Sequence, residues 1–338
     1  MPRSARSSIN LRKRYILSWR EKMLDAATQL VDLPDNPVPE GANAGYLTTP
    51  DGIRLRFAYW RATASPLKGT ITLLQGRAEF IEKYFETIED LRLRGYAVAT
   101  FDWRGQGGSE RLLSNPRRGH VDDFSDYLTD LDTMLSGVTL ANLPGPHFAL
   151  AHSTGGAIIL HGTERLATRL ERAVLTSPLI GLGKIGWPPE VVSPLAHALS
   201  GLGFGTAFVP GGSDTIRQPF EGNWLSHDER RYERTLQILD EAPQLEIGAP
   251  TIDWLAAASR AMKRFASADF GPSMRLPVLM IGAGNDRIVS TRAIEQLAKR
   301  TRSARYLEIA GAKHELLMES NFYRDQALEA MDAFFSSY

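Results

Sequence analysis

The sharpest constraint on this chain is the run FALAHSTGGAIIL at residues 148–160, an apolar stretch, a serine, two glycines and a second apolar stretch. A strand that turns abruptly into a helix places a serine at such a junction. The strained turn accepts only small neighbours, because the strand and helix backbones approach closely. Ala151, Gly155 and Gly156 meet that requirement around Ser153. The usual form of the turn is G-x-S-x-G; here it reads A-H-S-T-G, with Ala151 in place of the first glycine. Taken alone, the pentapeptide is equally compatible with a serine that merely caps a helix, so its partners decide.

A serine nucleophile needs a base to take its proton and a carboxylate to orient that base, which in this kind of sheet follow in the order Ser, Asp or Glu, His. Downstream, LPVLMIGAGNDRIVS at 276–290 predicts a buried strand closing in a Gly-Asn-Asp turn, with Asp286 just past the strand. ARYLEIAGAKHELLMES at 304–320 predicts another strand, a Gly-Ala loop, and His314 at the entry to the final helix. His314 is the only histidine of the seven that lies after Asp286. Three loops at one edge of an open sheet are where such folds place their ligands. His152 adjoins the serine, but its side chain is expected to point away from the nucleophile's side, as a packing or hydrogen-bonding group.

The negative oxygen formed during acyl transfer needs two backbone N–H groups, one from the residue after the nucleophile and one from the loop after the third strand. Thr154 supplies the first by position. GTITLLQGRAEFIEKYF at 69–85 predicts a strand, a Gln-Gly turn and a helix, which makes the N–H of Arg77 the second.

With these blocks in place, the chain resembles the α/β-hydrolase superfamily, in the serine-hydrolase branch that holds monoacylglycerol lipases and bacterial lysophospholipases of the L2 type. QGRAEFIEKY resembles that branch's His-Gly-x-x-Glu loop, FDWRGQGGSE its Asp-x-Arg-Gly-x-Gly-x-Ser turn, and AHSTGG, GNDRIV and KHELLME its elbow, acid and histidine loops. Gln75 stands where the branch usually has histidine, and Ala151 where it has glycine; neither change removes a catalytic atom. The resemblance implies an α/β fold with a mostly parallel eight-stranded sheet, flanking helices and an inserted helical lid. It also implies a serine-dependent hydrolase that cleaves lysophospholipid or monoacylglycerol esters through an acyl-enzyme. Two other readings stay open: a peptidase or amide hydrolase of the same fold, and a non-catalytic ligand-binding protein on the same shell.

Composition narrows the chemistry further. Basic and acidic residues number 39 each, so no global charge steers the chain to nucleic acid. There are no cysteines, which removes disulfides, thiolate metal sites and a cysteine nucleophile together. No cofactor is implied, and no H-E-x-x-H type spacing implies a metal.

Three regions divide the chain. Residues 1–44 form a basic extension in which Tyr15, Ile16, Trp19, Met23 and Leu30 recur at helical spacing among arginines and lysines. Without a long apolar stretch it is neither signal peptide nor membrane span, and a cytoplasmic protein is expected. Residues 10–31 either lie on an anionic membrane surface or pack on the body. Residues 45–178 and 259–338 carry the core: a hairpin turning at Pro50-Asp51-Gly52, strands over 70–75, 96–102 and 172–178, and helices over 80–94 and 120–137. Asp102, Arg104, Glu79 and Glu315 read as loop-bracing or ion-pair groups. Residues 179–258 break the alternation and read as a lid, whose Trp187, Phe204, Phe208, Trp224 and Trp254 are candidates to face an apolar substrate. Arg217, Arg230, Arg231 and Arg234 could meet a phosphate, although a solvated helix face explains them more simply.

Overall fold

The computed structural model describes residues 30–184 and 189–336. Eight strands form one sheet in the order β1-β2-β4-β3-β5-β6-β7-β8. They are β1 (Asn43–Thr48), β2 (Arg54–Trp60), β3 (Gly69–Leu74), β4 (Tyr96–Phe101), β5 (His147–His152), β6 (Arg172–Thr176), β7 (Val278–Ala283) and β8 (Ala304–Ile309). The hairpin β1–β2 turns where Pro50-Asp51-Gly52 predicts, and β2 runs antiparallel to β4. From β4 to β8 every pairing is parallel.

The inner strands β3 to β7 are apolar runs because both their faces are covered. On one face, Ile71, Leu73, Val98, Phe148, Val174 and Ile281 pack under α1 (Phe85–Leu93) and α8 (Asn321–Ser336). The alternate residues Ala97, Ala99, Ala149, Ala173, Leu175 and Met280 pack on the other. There they meet α2 (Phe124–Met134), α3 (Thr154–His161), α6 (Ile252–Ala266) and α7 (Thr291–Lys299). This period-two division lets small residues on one face admit α3 close to the sheet, just behind Ser153.

Helix α2 begins at Phe124 rather than near His120, because Asp123 accepts from Ser125 N–H and forms a capping box with Asp126. His120 precedes it and bonds Thr251 instead, Nδ1 to Oγ1 at 3.0 Å. Between β6 and β7 lie α4 (Pro189–Leu199), α5 (Glu229–Glu241) and α6. Helix α6 runs through residue 258, where the sequence reading ends the insertion, and its Trp254, Ala257 and Phe265 belong to the main core. Among the described residues no helix is long and apolar enough to cross a membrane. The segment expected to touch a membrane, residues 10–31, lies outside the described residues except for its last two.

The expectation of a solvated face on α5 is corrected. Arg231 and Arg234 are 3% and 8% exposed. Glu86 on α1 binds Arg231 at 2.6 Å and Arg234 at 2.5 Å, and Arg231 also reaches Asp228, the Glu319 carbonyl and Asn321. Arg217 pairs with Asp240 and Glu246. Of the four arginines Arg230 alone is mostly in solvent, 74% exposed, with Glu86 3.7 Å away. Periodicity shows which residues share a helix face; it does not show that a carboxylate on a distant helix waits to bury them.

Candidate active site

Ser153 sits between β5 and α3 with φ +49° and ψ −111°, a left-handed backbone that non-glycine residues rarely adopt. The surroundings enforce it. Its N–H donates to the Thr176 carbonyl at 3.0 Å, and its own carbonyl accepts from Leu179 and Ala157. A Cβ at Gly155 would lie 2.7 Å from the Gln75 carbonyl oxygen and 2.8 Å from that of Leu74, and one at Gly156 would lie 2.8 Å from Pro178. Both glycines are thus required by close approach, as the motif implies. Ala151 is fully buried in the core, so its methyl group is accommodated where glycine is usual.

The three predicted side chains converge. His314 Nε2 lies 3.2 Å from Ser153 Oγ, and His314 Nδ1 lies 2.7 Å from Asp286 Oδ2. Asp286 follows β7 and uses its other oxygen to accept from Ile288 N–H at 2.8 Å and Val289 N–H at 3.0 Å. His314 follows β8; the final helix starts only at Asn321, after a short 3-10 turn at Leu316–Met318. Burial works to raise the Asp286 pKa, but His314 beside it and these two N–H donors hold the carboxyl below its ordinary value. Burial likewise works against charge on His314, and the Asp286 carboxylate, with Glu315 and Glu79 beyond it, more than offsets it, so the imidazole pKa is raised from its ordinary value.

The loop after β3 is fixed by side chains. Gly76 N–H donates to Glu79, Ala78 N–H donates to Gln106 at 3.3 Å, and Gln106 Nε2 donates back to the Gly76 carbonyl at 2.9 Å. Arg77 lies between those two committed amides. Gly76 comes so close to Ser153 that an added Cβ would be 3.2 Å from the serine Cβ. Thr154 opens α3, so its N–H is one of the helix-terminal donors that have no acceptor within the helix. Gln75, in place of the usual histidine, donates its side-chain Nε2 to Asp102 at 3.1 Å, while its main-chain carbonyl accepts from the Trp103 indole at 3.0 Å.

Asp102 and Arg104 brace loops, as read from the sequence. Asp102 accepts from Arg56, Ile81 N–H and Gly108 N–H, while Arg104 pairs with Asp130 and Asp51. His152 is a buried hydrogen-bonding residue, with Nδ1 3.2 Å from the Thr176 carbonyl oxygen, but it does not turn away from the site: its ring centre lies 4.8 Å from that of His314. Burial pushes its pKa down to about 4, so it stays neutral beside the His314 ring. Lys83, absent from the sequence reading, bridges Glu79 at 2.8 Å and Glu315 at 2.7 Å. Its signal was the i,i+4 spacing of Glu79 and Lys83 in EFIEK.

Two neighbouring cavities share Arg77, Leu182, Leu225, Tyr232 and Trp254 on their walls, and Ser153 lines one of them. The smaller, about 290 Å³, holds Ser153, His314, Arg77 and Thr154 on its wall. The larger, about 600 Å³, is bounded mainly by apolar side chains such as Leu195, Leu199, Ile252 and Leu255. Trp254 lines both and Trp224 lines the larger. Phe204 and Phe208 line neither: Phe204 is 56% exposed, and Phe208, paired by its backbone with Thr251, lies beneath Arg118. Trp187 falls outside the described residues.

A family model described as serine aminopeptidase, S33, matches residues 65–321. The chain is an α/β-hydrolase of this family. The hydrolase is 31% identical to lysophospholipase L2 of Escherichia coli K12 over 299 residues, 85% of this chain and 86% of that protein. It is 30% identical to a probable lysophospholipase L2 of Haemophilus influenzae over 290 residues, 86% of this chain and 90% of that one. A soluble variant of monoglyceride lipase from Saccharomyces cerevisiae, solved with a substrate analog, matches the hydrolase with a TM-score of 0.71. That match has 16% identity and covers 88% of this chain and 96% of that one, so it speaks for the fold.

Proposed function

We propose that this hydrolase cleaves the carboxylic ester of a single-chain lipid, a lysophospholipid or monoacylglycerol, through an acyl-enzyme. The observation that carries the reading is the Ser153–His314–Asp286 row, whose serine and histidine line the cavity of about 290 Å³ that shares Arg77, Leu182, Ile288 and Trp254 with the apolar cavity of about 600 Å³. Ser153 Oγ attacks the ester carbonyl while its proton passes to His314 Nε2, and the N–H groups of Arg77 and Thr154 receive the negative oxygen. His314 then gives the proton to the departing glycerol oxygen, leaving the acyl group on Ser153. Water, deprotonated by the same imidazole, attacks the acyl carbon and releases the fatty acid. Asp286 holds the imidazole with Nε2 toward the serine throughout. Residues 179–258 act as the lid over this chemistry, and the acyl chain occupies the cavity that Trp224 and Trp254 help to line.

An aminopeptidase would need a carboxylate for the substrate's ammonium group. The carboxylates on the smaller cavity wall are all engaged: Glu79 and Glu315 by Lys83, Glu246 by Arg117 and Arg217. That arrangement favours the ester reading. The test is Ser153→Ala, assayed with a p-nitrophenyl ester and a fluorophosphonate probe. Labelling and turnover should both vanish, with turnover down by about three orders of magnitude or more; retained labelling would reject this serine.

A further inference from the structure

The cations on the cavity walls are not alike. Lys83 lies between two glutamates, and Arg217 lies between Asp240 and Glu246. Arg77 lines both cavities, and among the described residues it has no carboxylate within ion-pair distance. Its Nη1 donates to the Gly248 carbonyl at 2.8 Å, and its guanidinium sits 5.7 Å from the centre of the Trp254 ring. These contacts hold the planar group in place while leaving its other donors and its charge uncompensated. Arg77 is half-buried, and a guanidinium partly withdrawn from water without a counter-charge is costly, a cost that an anion entering the cavity would offset. The burial pushes its pKa down to about 10, which still leaves it charged at neutral pH.

We infer that the Arg77 side chain is the receptor for the phosphate of a lysophospholipid headgroup, while the N–H of the same residue serves the ester oxygen. This rests on the ester-hydrolase reading above and narrows its substrate. The geometry is that of the lipid itself: the glycerol unit between ester and phosphate is about as long as an arginine side chain between backbone and guanidinium. One residue can therefore span both groups. Phosphate suits a guanidinium because two parallel N–H bonds can form at once, whereas the hydroxyls of a monoacylglycerol offer no charge to meet. The wall carries no second unpaired cation among its described residues, so discrimination falls on this one position.

The experiment compares kcat/KM for a lysophosphatidylethanolamine and a monoacylglycerol of the same acyl chain, in the wild type, Arg77→Met and Arg77→Lys. The ratio of the two substrates should fall at least tenfold in Arg77→Met and recover in part in Arg77→Lys, whatever common loss the two activities share. An unchanged ratio would overturn the assignment, leaving Arg77 as a clamp on the Gly248 loop. A second measurement needs no variant: glycerol 3-phosphate should compete with a p-nitrophenyl ester on the wild-type enzyme, and glycerol at the same concentration should not. Equal inhibition by both, or none by either, also overturns it. Should the wild type hydrolyse neither lipid while Ser153 still takes a fluorophosphonate, the lipid-ester reading itself falls.

Discussion

Beneath Ser153 the chain buries charge, while in the insertion between β6 and β7 it encloses an apolar space. Arg56 on β2 binds Asp102 and Glu82 at 2.7 Å, with all three side chains at most 1% exposed, and Asp102 in turn ties down the backbone at Ile81, after β3, and at Gly108, after β4. A fully paired buried network has few alternative arrangements, so the donors around the serine are held in one geometry before substrate arrives. The insertion meets the core differently. Its polar grip is peripheral, through Arg231 and Arg234 on Glu86 and through Leu225 and Ser226, which bond Glu315 N–H and the Met318 carbonyl. Its inner wall is aliphatic and aromatic side chains. The contrast assigns rigidity to the machinery and adaptable shape to the substrate end.

The strongest way to break this division is Asp102→Ala. It strands Arg56 with a single partner and frees two backbone amides, so we expect a loss of about 3–5 kcal/mol, read by denaturant melts. A variant of wild-type stability would show that the network below the serine is not what holds it.

Next is the pair on α5. Arg231→Ala removes bonds to Glu86, Asp228, the Glu319 carbonyl and Asn321, and should cost roughly 2–3 kcal/mol. Arg230→Ala, one residue away but in solvent, should stay within about 0.5 kcal/mol. Equal effects would mean the insertion is not clasped through the buried arginine. Smaller again is Trp224→Ala, which opens the larger cavity. Preference between long and short acyl chains should weaken by roughly tenfold, measured as a ratio of kcat/KM values, with the melting midpoint little changed. A loss of activity equal on all chain lengths would place Trp224 with the machinery instead.

What the amino-acid sequence made legible follows the same division. The elbow, the acid loop and the histidine loop are short motifs whose constraints are local: a close backbone approach at Gly155, a strand end before Asp286, a strand and loop before His314. The alternating strands and both layers of helices likewise follow from periodicity. What was hidden depends on partners far along the chain. Glu86 buries Arg231 from 145 residues away, and nothing in HDERRYERTLQILDEAP reports it. Phe204 and Phe208 are aromatic residues in an apolar insertion, yet their place is set by how α4 and α6 pack, which the residues alone do not encode. The Arg77 side chain is equally silent in QGRAEF, because its partners, the Gly248 carbonyl and the Trp254 ring, lie more than 170 residues along the chain.

The smallest expected change is a displacement along the pH axis. In the proposed mechanism His314 must be neutral to act as the base, so kcat/KM should fall as pH drops through its pKa, which the neighbouring carboxylates raise from the ordinary imidazole value. The acid limb of the profile should therefore have its midpoint above 6.5. Asp286 is the main cause of the rise, and the Glu315 and Glu79 carboxylates add to it. Glu315→Gln removes one negative charge beside the imidazole and also leaves Lys83 less compensated; both changes disfavour the protonated ring. The limb should move to lower pH while the serine still reacts with a fluorophosphonate. An unmoved limb would mean that the charge beneath the triad does not set the imidazole, and the paired network would then position the machinery without tuning it.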